Sequence, residues 1–86
     1  MTKRPIDPGD FSTAEIRFAR RVRKARKAAG LSQRALSDKT DLAVSYISEI
    51  ENAARSPSLL TCMRLAEGLG VELATLVAPK TDDDPD

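Results

Sequence analysis

The apolar positions of residues 31–51 fall into two short helical patterns that are separated by a few polar residues. In each pattern an apolar residue recurs every three or four positions, which is the period of one face of an α-helix. The gap between them is too short for an independent element, so the two helices should cross and close one small core. The residues assigned to this core are Leu31, Ala35, Leu36, Leu42, Ile47 and Ile50.

Further helical patterns lie on both sides of this pair, and no strand pattern is present. A first helix is predicted from Ser12 or Thr13, which can cap it, to about Ala29, with Gly30 just past its end. Its apolar stripe comprises Phe18, Val22, Ala25 and Ala29. The pair itself consists of a second helix capped by Ser32 and a third over residues 44–52.

A fourth helix is predicted after Ser58, which can cap it, and it ends at Gly68 and Gly70. Its apolar residues are Leu59, Cys62, Met63, Leu65, Ala66 and Leu69. Residues 71–77 form a short fifth helix that is nearly all apolar. The fold class predicted from these patterns is all-α.

The 86 residues are enough for one small domain. Residues 1–12 contain Pro5, Pro8 and Gly9 and are predicted to be a flexible arm, and residues 13–78 form the domain. Residues 79–86 carry one basic and four acidic side chains and are predicted to be a disordered tail. The 13 basic and 9 acidic side chains of residues 1–78 make the domain itself basic, which is compatible with a polyanionic partner.

Several classes of function are disfavoured by what the chain lacks. It has no His, and its one cysteine, Cys62, lies among apolar neighbours and is expected to be a core thiol rather than a redox sensor. Neither a metal-ligand cluster nor a glycine-rich phosphate loop is present, so we expect no metal, no cofactor and no enzymatic activity. No signal peptide or apolar run of roughly 20 residues is found, which predicts a cytoplasmic protein without a membrane partner.

The third predicted helix carries short polar groups on the side opposite its apolar face. Ser45, Ser48 and Glu49 point away from Ile47 and Ile50. A helix that packs on one side and offers such groups on the other can enter the major groove of DNA. The second and third helices are therefore interpreted as a helix-turn-helix.

Residues 18–77 resemble the lambda-repressor and Cro-like helix-turn-helix family, also called the xenobiotic-response-element family. The resemblance is carried by the segments Val-Arg-Lys-Ala-Arg-Lys-Ala-Ala-Gly-Leu-Ser-Gln-Arg-Ala-Leu-Ser, Ser-Tyr-Ile-Ser-Glu-Ile-Glu-Asn, Ser-Pro-Ser-Leu-Leu and Leu-Ala-Glu-Gly-Leu-Gly-Val. It implies a compact five-helix bundle that binds operator DNA, usually as a dimer.

The resemblance also assigns roles to individual positions. Val44, Ser45 and Glu49 fall where the family reads bases, and Arg26 and Glu51 match its internal salt bridge. The positions assigned to phosphate contacts are Ser32, Gln33, Tyr46, Ser48, Asn52 and Arg55. For Tyr46, packing with the hydroxyl at the surface remains an alternative. The arginines and lysines of the first helix are either a solvated face or a partial phosphate contact.

Three positions depart from the family pattern. Asp41 stands where the turn usually has Gly, and Ala43 replaces the usual Ser or Thr cap of the recognition helix. The recognition helix also lacks Arg, Lys, Gln and Asn before Asn52, so the commonest base readers are missing. We expect Val44 to contact a thymine methyl, Ser45 to bond either base type, and Glu49 to accept from a cytosine amino group.

The fourth and fifth helices carry more apolar residues than one domain should bury. Those assigned to a two-fold dimer interface are Leu60, Val71, Leu73, Leu76 and Val77. Such a homodimer would read a palindrome with half-sites about 34 Å apart. The acidic tail either serves solubility alone or competes with DNA for the basic first helix.

The function predicted is that of a sequence-specific DNA-binding transcriptional regulator, a repressor or autoregulator. An antitoxin or a restriction-modification controller would have the same fold, and a toxin or co-regulator would then be a possible protein partner. The alternative from another class is an interaction adaptor that has kept the fold and lost DNA readout.

Overall fold

The computed structural model describes residues 8–79, which form five α-helices. These are α1 (Pro8–Ala28), α2 (Gln33–Thr40), α3 (Val44–Glu51), α4 (Leu59–Leu69) and α5 (Leu73–Val77). No strand is present within these residues. The predicted all-α, five-helix fold is confirmed.

The first helix begins earlier than the sequence patterns indicate. α1 starts at Pro8, whereas its start was expected at Ser12 or Thr13. Proline is well suited to a first helical position, because its φ is already helical and the N–H it lacks would have no partner there. Helix therefore replaces the predicted arm over residues 8–12. The rest of that arm, and the tail from Lys80 onward, lie outside the described residues.

The end of α1 follows the prediction at Gly30. Gly30 has φ +71°, and its N–H donates to the carbonyl of Lys27 at 3.0 Å. The N–H of Leu31 donates to the carbonyl of Arg26 at 3.1 Å, which completes a Schellman motif. The left-handed conformation is easy only for Gly, so this residue ends the helix and turns the chain towards α2.

The core is mainly aliphatic and includes Phe18. Its most deeply buried side chains are Val22, Leu36, Ile47, Ile50, Leu65 and Leu76. Ala29 is exposed, so it does not extend the buried stripe of α1 as expected. Leu59 and Met63 are also exposed, at 68% and 51%, because the buried stripe of α4 passes through Cys62 and Leu65 on the other side of the helix.

Close packing joins α2 to α4. A Cβ atom added at Gly68 would lie 2.5 Å from Cγ2 of Thr40, so the two helices approach more closely there than any larger residue allows. Thr40 is buried, and its hydroxyl donates to the carbonyl of Leu36 at 2.7 Å. The first helix of the predicted helix-turn-helix is thereby fixed against the bundle.

Arg21 of α1 binds the carboxyl end of α5. Its guanidinium donates to the carbonyls of Leu76, Ala78 and Pro79. The last carbonyls of a helix have no partner within the helix and carry partial negative charge, so a cation there is favourable. This arginine was assigned to the exposed circumference of α1, but in the structure it fastens α5 to the domain.

Candidate nucleic-acid interface

The turn between α2 and α3 is built on Asp41. Asp41 has φ +61° and ψ +28°, and its N–H donates to the carbonyl of Ser37 at 2.9 Å. Aspartate enters the left-handed region more readily than most residues, which explains how it stands where the family usually has Gly. The hydroxyl of Ser37 also donates to the carbonyl of Leu42. Ser37 therefore forms hydrogen bonds to the backbone of the turn at both Asp41 and Leu42.

The two helices of the motif begin differently. The side-chain oxygen of Ser32 accepts a hydrogen bond from the N–H of Ala35 at 2.9 Å, which confirms Ser32 as the cap of α2. Ala43 stands at the same position of α3 and provides no side-chain cap. Helix α3 consequently depends on tertiary contacts more than α2 does.

Helix α3 has one face in the core and one at the surface. Ile47 and Ile50 are 0% and 1% exposed and anchor the inner face. On the outer face Ser45 is exposed, whereas Val44, Ser48 and Glu49 are partly buried. The positions predicted to read bases, Val44, Ser45 and Glu49, therefore lie together on α3 and retain exposed surface.

The predicted ion pair joins α1 to α3. Arg26 Nε lies 2.7 Å from Glu51 Oε2, and Arg26 Nη2 lies 3.0 Å from Glu51 Oε1. Arg26 Nη1 also donates to the carbonyl of Leu31 at 2.8 Å. The Glu51 side chain is 1% exposed and that of Arg26 12%, so both charges are largely removed from water. Hydrogen bonding to Glu51 raises the pKa of the Arg26 guanidinium above its ordinary value.

Gln33 belongs to the same network. Its side-chain amide donates to Glu51 Oε1 at 3.2 Å, so the first turn of α2 is tied to the last turn of α3. Sequence reasoning assigned Gln33 to phosphate only and missed this contact. Ser32, its neighbour at the start of α2, is exposed.

A second polar cluster lies at the carboxyl end of α3, and it was not foreseen. Arg55 Nε lies 3.3 Å from Glu49 Oε1, and Arg55 Cζ lies 5.7 Å from the centre of the Tyr46 ring. The Tyr46 hydroxyl points to Thr61 on α4, at an O–O distance of 3.5 Å. The ring of Tyr46 thus packs against the core, as in the alternative to its phosphate role, but its hydroxyl is directed to the buried Thr61 and not simply to the surface.

The backbone after α3 brings Arg55 into that cluster. Ala53 has φ +57°, a left-handed conformation that is unfavourable for a residue with a side chain. The N–H of Ala53 donates to the carbonyl of Ile50 at 3.1 Å, and that of Ala54 donates to the carbonyl of Glu49 at 2.8 Å. This Schellman motif reverses the chain beside the end of α3. Asn52, predicted to contact phosphate, is exposed next to it.

Of the five apolar side chains assigned to the dimer interface, only two are exposed on the surface of α4 and α5. Leu60 and Val77 are exposed at 59% and 50%, whereas Val71 and Leu73 are partly buried against the core. Leu76 is 1% exposed and lies inside the domain, so its assignment to a dimer interface is wrong. Leu59 and Met63 add exposed apolar surface to α4 that was not predicted.

The described residues contain neither a cluster of metal ligands nor a membrane-spanning helix. No group of three or more His, Cys, Asp and Glu residues suited to a metal ion is found among residues 8–79. Cys62 is buried, and this burial raises the pKa of its thiol, in agreement with the predicted core role. None of the described helices is both long and apolar enough to cross a membrane.

Residues 22–76, well over half of the chain, match the model of the helix-turn-helix family. Control protein C.MunI of Mycoplasma sp is 38% identical over 63 residues, which cover 72% of this chain and 85% of that protein. The immunity repressor protein of Bacillus phage phi105 is 34% identical over 61 residues, or 71% of this chain, although the match spans only 42% of the repressor.

A solved structure is similar over nearly its whole length. The restriction-modification controller protein C.AhdI from Aeromonas hydrophila superimposes with a TM-score of 0.72 at 34% sequence identity. The match covers 74% of this chain and 97% of that one.

Proposed function

The chain belongs to the helix-turn-helix family of DNA-binding transcriptional regulators, and we propose that it is a repressor that binds a palindromic operator as a homodimer. In this proposal α3 enters the major groove, and the N-terminus of α2 and the loop after α3 contact the flanking phosphates. Repression follows when the occupied operator overlaps a promoter.

The proposal rests on one observation. Helix α3 is anchored by its inner face, and the side chains predicted to contact DNA bases lie on its outer face. Ile47 and Ile50 fix the helix in the core, and the Arg26–Glu51 pair fixes its end. A recognition helix needs this rigidity, because a shift of about 1 Å would disrupt the geometry of its polar contacts.

We propose that three side chains of α3 contact bases. Val44 contacts a thymine methyl, Ser45 bonds either base type, and Glu49 accepts a hydrogen bond from a cytosine amino group. Among these, only Glu49 is charged, and its carboxylate needs such a donor to lie in a groove lined by phosphates. The phosphate contacts proposed beside these base contacts are those of Ser32, Gln33, Tyr46, Ser48, Asn52 and Arg55.

The dimer proposal depends on the exposed apolar side chains of the carboxyl-terminal half. Leu60 on α4 and Val77 on α5 are both at least half exposed, and Leu59 and Met63 enlarge the apolar surface of α4. A two-fold contact through this surface would use the same residues from both subunits. Arg21 supports it by fixing the carboxyl end of α5 to α1.

A restriction-modification controller is the second candidate, and a specific similarity favours it. The match covers 97% of the controller C.AhdI and 85% of control protein C.MunI, so the likeness extends over almost the whole of each. Either role requires the same operator-binding surface. A regulator of this kind acts where the DNA is held, which in a bacterial cell is the cytoplasm, and we propose neither an enzymatic activity nor a cofactor for it.

The proposal can be tested by selection from a randomised double-stranded DNA library, followed by sequencing of the bound fraction. We expect enrichment of an inverted repeat with half-sites about one helical turn apart. The same protein with Leu60→Glu should bind the enriched duplex more weakly and sediment as a monomer. Failure of the wild-type protein to enrich any sequence would favour the adaptor that has lost DNA readout. Enrichment of a single, non-repeated site would contradict the dimer.

A further inference from the structure

Arg55 lies in the loop after α3, yet its side chain returns to the outer face of that helix. The return depends on the left-handed conformation of Ala53 at φ +57° and on the hydrogen bond from Ala54 N–H to the carbonyl of Glu49, at 2.8 Å. A residue other than glycine is uncommon in this conformation, and it persists there only where the surrounding structure holds it.

The guanidinium of Arg55 contacts two side chains of α3 together. Its Nε lies 3.3 Å from Glu49 Oε1, and its Cζ lies 5.7 Å from the centre of the Tyr46 ring. Tyr46 is itself directed by its hydroxyl towards Thr61 of α4. A guanidinium is planar and can lie against a ring while it bonds a carboxylate, whereas the ammonium of lysine cannot do both in this way.

The contact between Arg55 and Glu49 affects the charge and the orientation of the Glu49 carboxylate more than it affects the stability of the fold. The Arg55 and Glu49 side chains are 59% and 46% exposed, and ion pairs so open to water add little to folding. Near DNA, however, an unpaired carboxylate is repelled by the phosphates. A paired carboxylate is neutralised, and it is also held in one direction.

We propose that Arg55 is a specificity-determining positioning residue that acts through Glu49. In this account Arg55, supported by the Tyr46 ring, holds the Glu49 carboxylate in the direction of the base it reads and offsets its repulsion by the backbone. The inference rests on the proposed function, because it requires Glu49 to read a base. It differs from the phosphate role assigned to Arg55, which has no effect on base preference.

The two roles predict different results for Arg55→Ala. If Arg55 only neutralises a phosphate, its loss weakens binding to all duplexes alike and lowers the slope of log affinity against log salt by about 1. If Arg55 acts through Glu49, the loss falls on discrimination at one base pair of each half-site and leaves the other positions unchanged.

The experiment uses the full chain and the duplex enriched from the randomised library, with every single-base substitution of one half-site. Glu49→Ala first identifies the base pair at which Glu49 discriminates. The affinity ratio of the preferred to the substituted base at that pair is then measured for Arg55→Ala, Arg55→Lys and the double variant of Glu49→Ala with Arg55→Ala. Lys39→Ala, which removes an exposed positive charge from α2, is the matched control. Thermal unfolding of each variant checks that the fold is retained.

We expect Arg55→Ala to lower that ratio by at least about five-fold, because a good base contact provides roughly that much discrimination or more. Arg55→Lys should recover overall affinity but not the ratio, and Arg55→Ala should have no further effect on the ratio once Glu49 is absent. Lys39→Ala should leave the ratio unchanged. An unchanged ratio in Arg55→Ala would overturn the inference while leaving the proposed function intact. A wild-type protein that discriminates between no duplexes would overturn both.

Discussion

Arg26 of α1 and Glu51 of α3 form a bidentate pair, with 2.7 Å between Nε and Oε2 and 3.0 Å between Nη2 and Oε1. Gln33 adds a third hydrogen bond to the same carboxylate. The end of the recognition helix is therefore fixed to the first helix and to the start of the second. This network makes the orientation of α3 a property of the fold and not of DNA contact.

Removal of one member of this pair should be costly. Arg26→Ala leaves the buried Glu51 carboxylate with the Gln33 amide as a hydrogen-bond donor and with Arg23, whose half-exposed Nε lies 3.8 Å from Oε1, as its remaining cation. We expect a loss of about 3 kcal/mol in the free energy of unfolding. The measurement is urea denaturation followed by circular dichroism. Replacement of both residues, Arg26→Met with Glu51→Leu, should cost much less, because no unpaired charge is then buried. Equal losses in the single and double variants would contradict this explanation.

Position 68, where α4 packs against Thr40 of α2, should tolerate no residue larger than glycine. We expect Gly68→Ala to lower the free energy of unfolding by about 1–3 kcal/mol, since the new Cβ would overlap Cγ2 of Thr40. Thr40 cannot easily rotate away, because its hydroxyl is bonded to the Leu36 carbonyl in the core. Glu67→Ala, at the exposed neighbouring position of α4, is the control and should be nearly neutral. A stabilised Gly68→Ala variant would show that the helices can separate at little cost.

Glycine in place of Ala53, the left-handed residue after α3, should increase the stability of the protein. We expect Ala53→Gly to raise the free energy of unfolding by roughly 0.5–1 kcal/mol, because relief of the left-handed strain exceeds the entropy that glycine adds to the unfolded chain. Ala54→Gly, at a position without positive φ, should instead lose stability. Thermal unfolding of both variants tests the difference, and a loss in Ala53→Gly would mean that this strain is absent.

The buried thiol should make stability depend on alkaline pH. Burial raises the pKa of Cys62 above its ordinary value of 9.0, so the folded protein keeps the proton that the unfolded chain releases. The resulting stability is present below the unfolded pKa and is lost as pH rises through the folded pKa. Between about pH 8.5 and pH 10.5, the free energy of unfolding measured in urea should therefore fall more for the wild type than for Cys62→Ala. Parallel losses in the two proteins would contradict the shift.

Local signals in the sequence predicted most of the helices. Ser32 and Ser58 cap α2 and α4 as expected, and Gly30 ends the first segment. The start of α1 at Pro8 was missed because proline and glycine are usually signs of a break. Leu76 was misplaced because α5 is almost wholly apolar, so its sequence offers no polar face from which the buried side can be determined.

The candidate site was predictable where it depends on the family pattern and not where it depends on a turn. Arg26 and Glu51 pair as the resemblance implied. The contact of Arg55 with Glu49 depends on a left-handed residue at Ala53, and alanine gives no sign of that conformation. Arg55 lies four positions beyond the end of α3, and the direction of its side chain could not be inferred without the turn.

The central claim is that α3 reads a specific DNA sequence through its outer face. The most direct test is fluorescence anisotropy with the enriched duplex and a scrambled duplex of equal composition, each at two salt concentrations, for the wild type and for Ser45→Ala with Glu49→Ala. We expect tight, salt-sensitive binding by the wild type with preference for the enriched duplex. The double variant, which keeps Val44, should lose most of that preference and retain salt-sensitive binding. Equal preference for the enriched duplex in both proteins would show that α3 does not read the sequence through these residues.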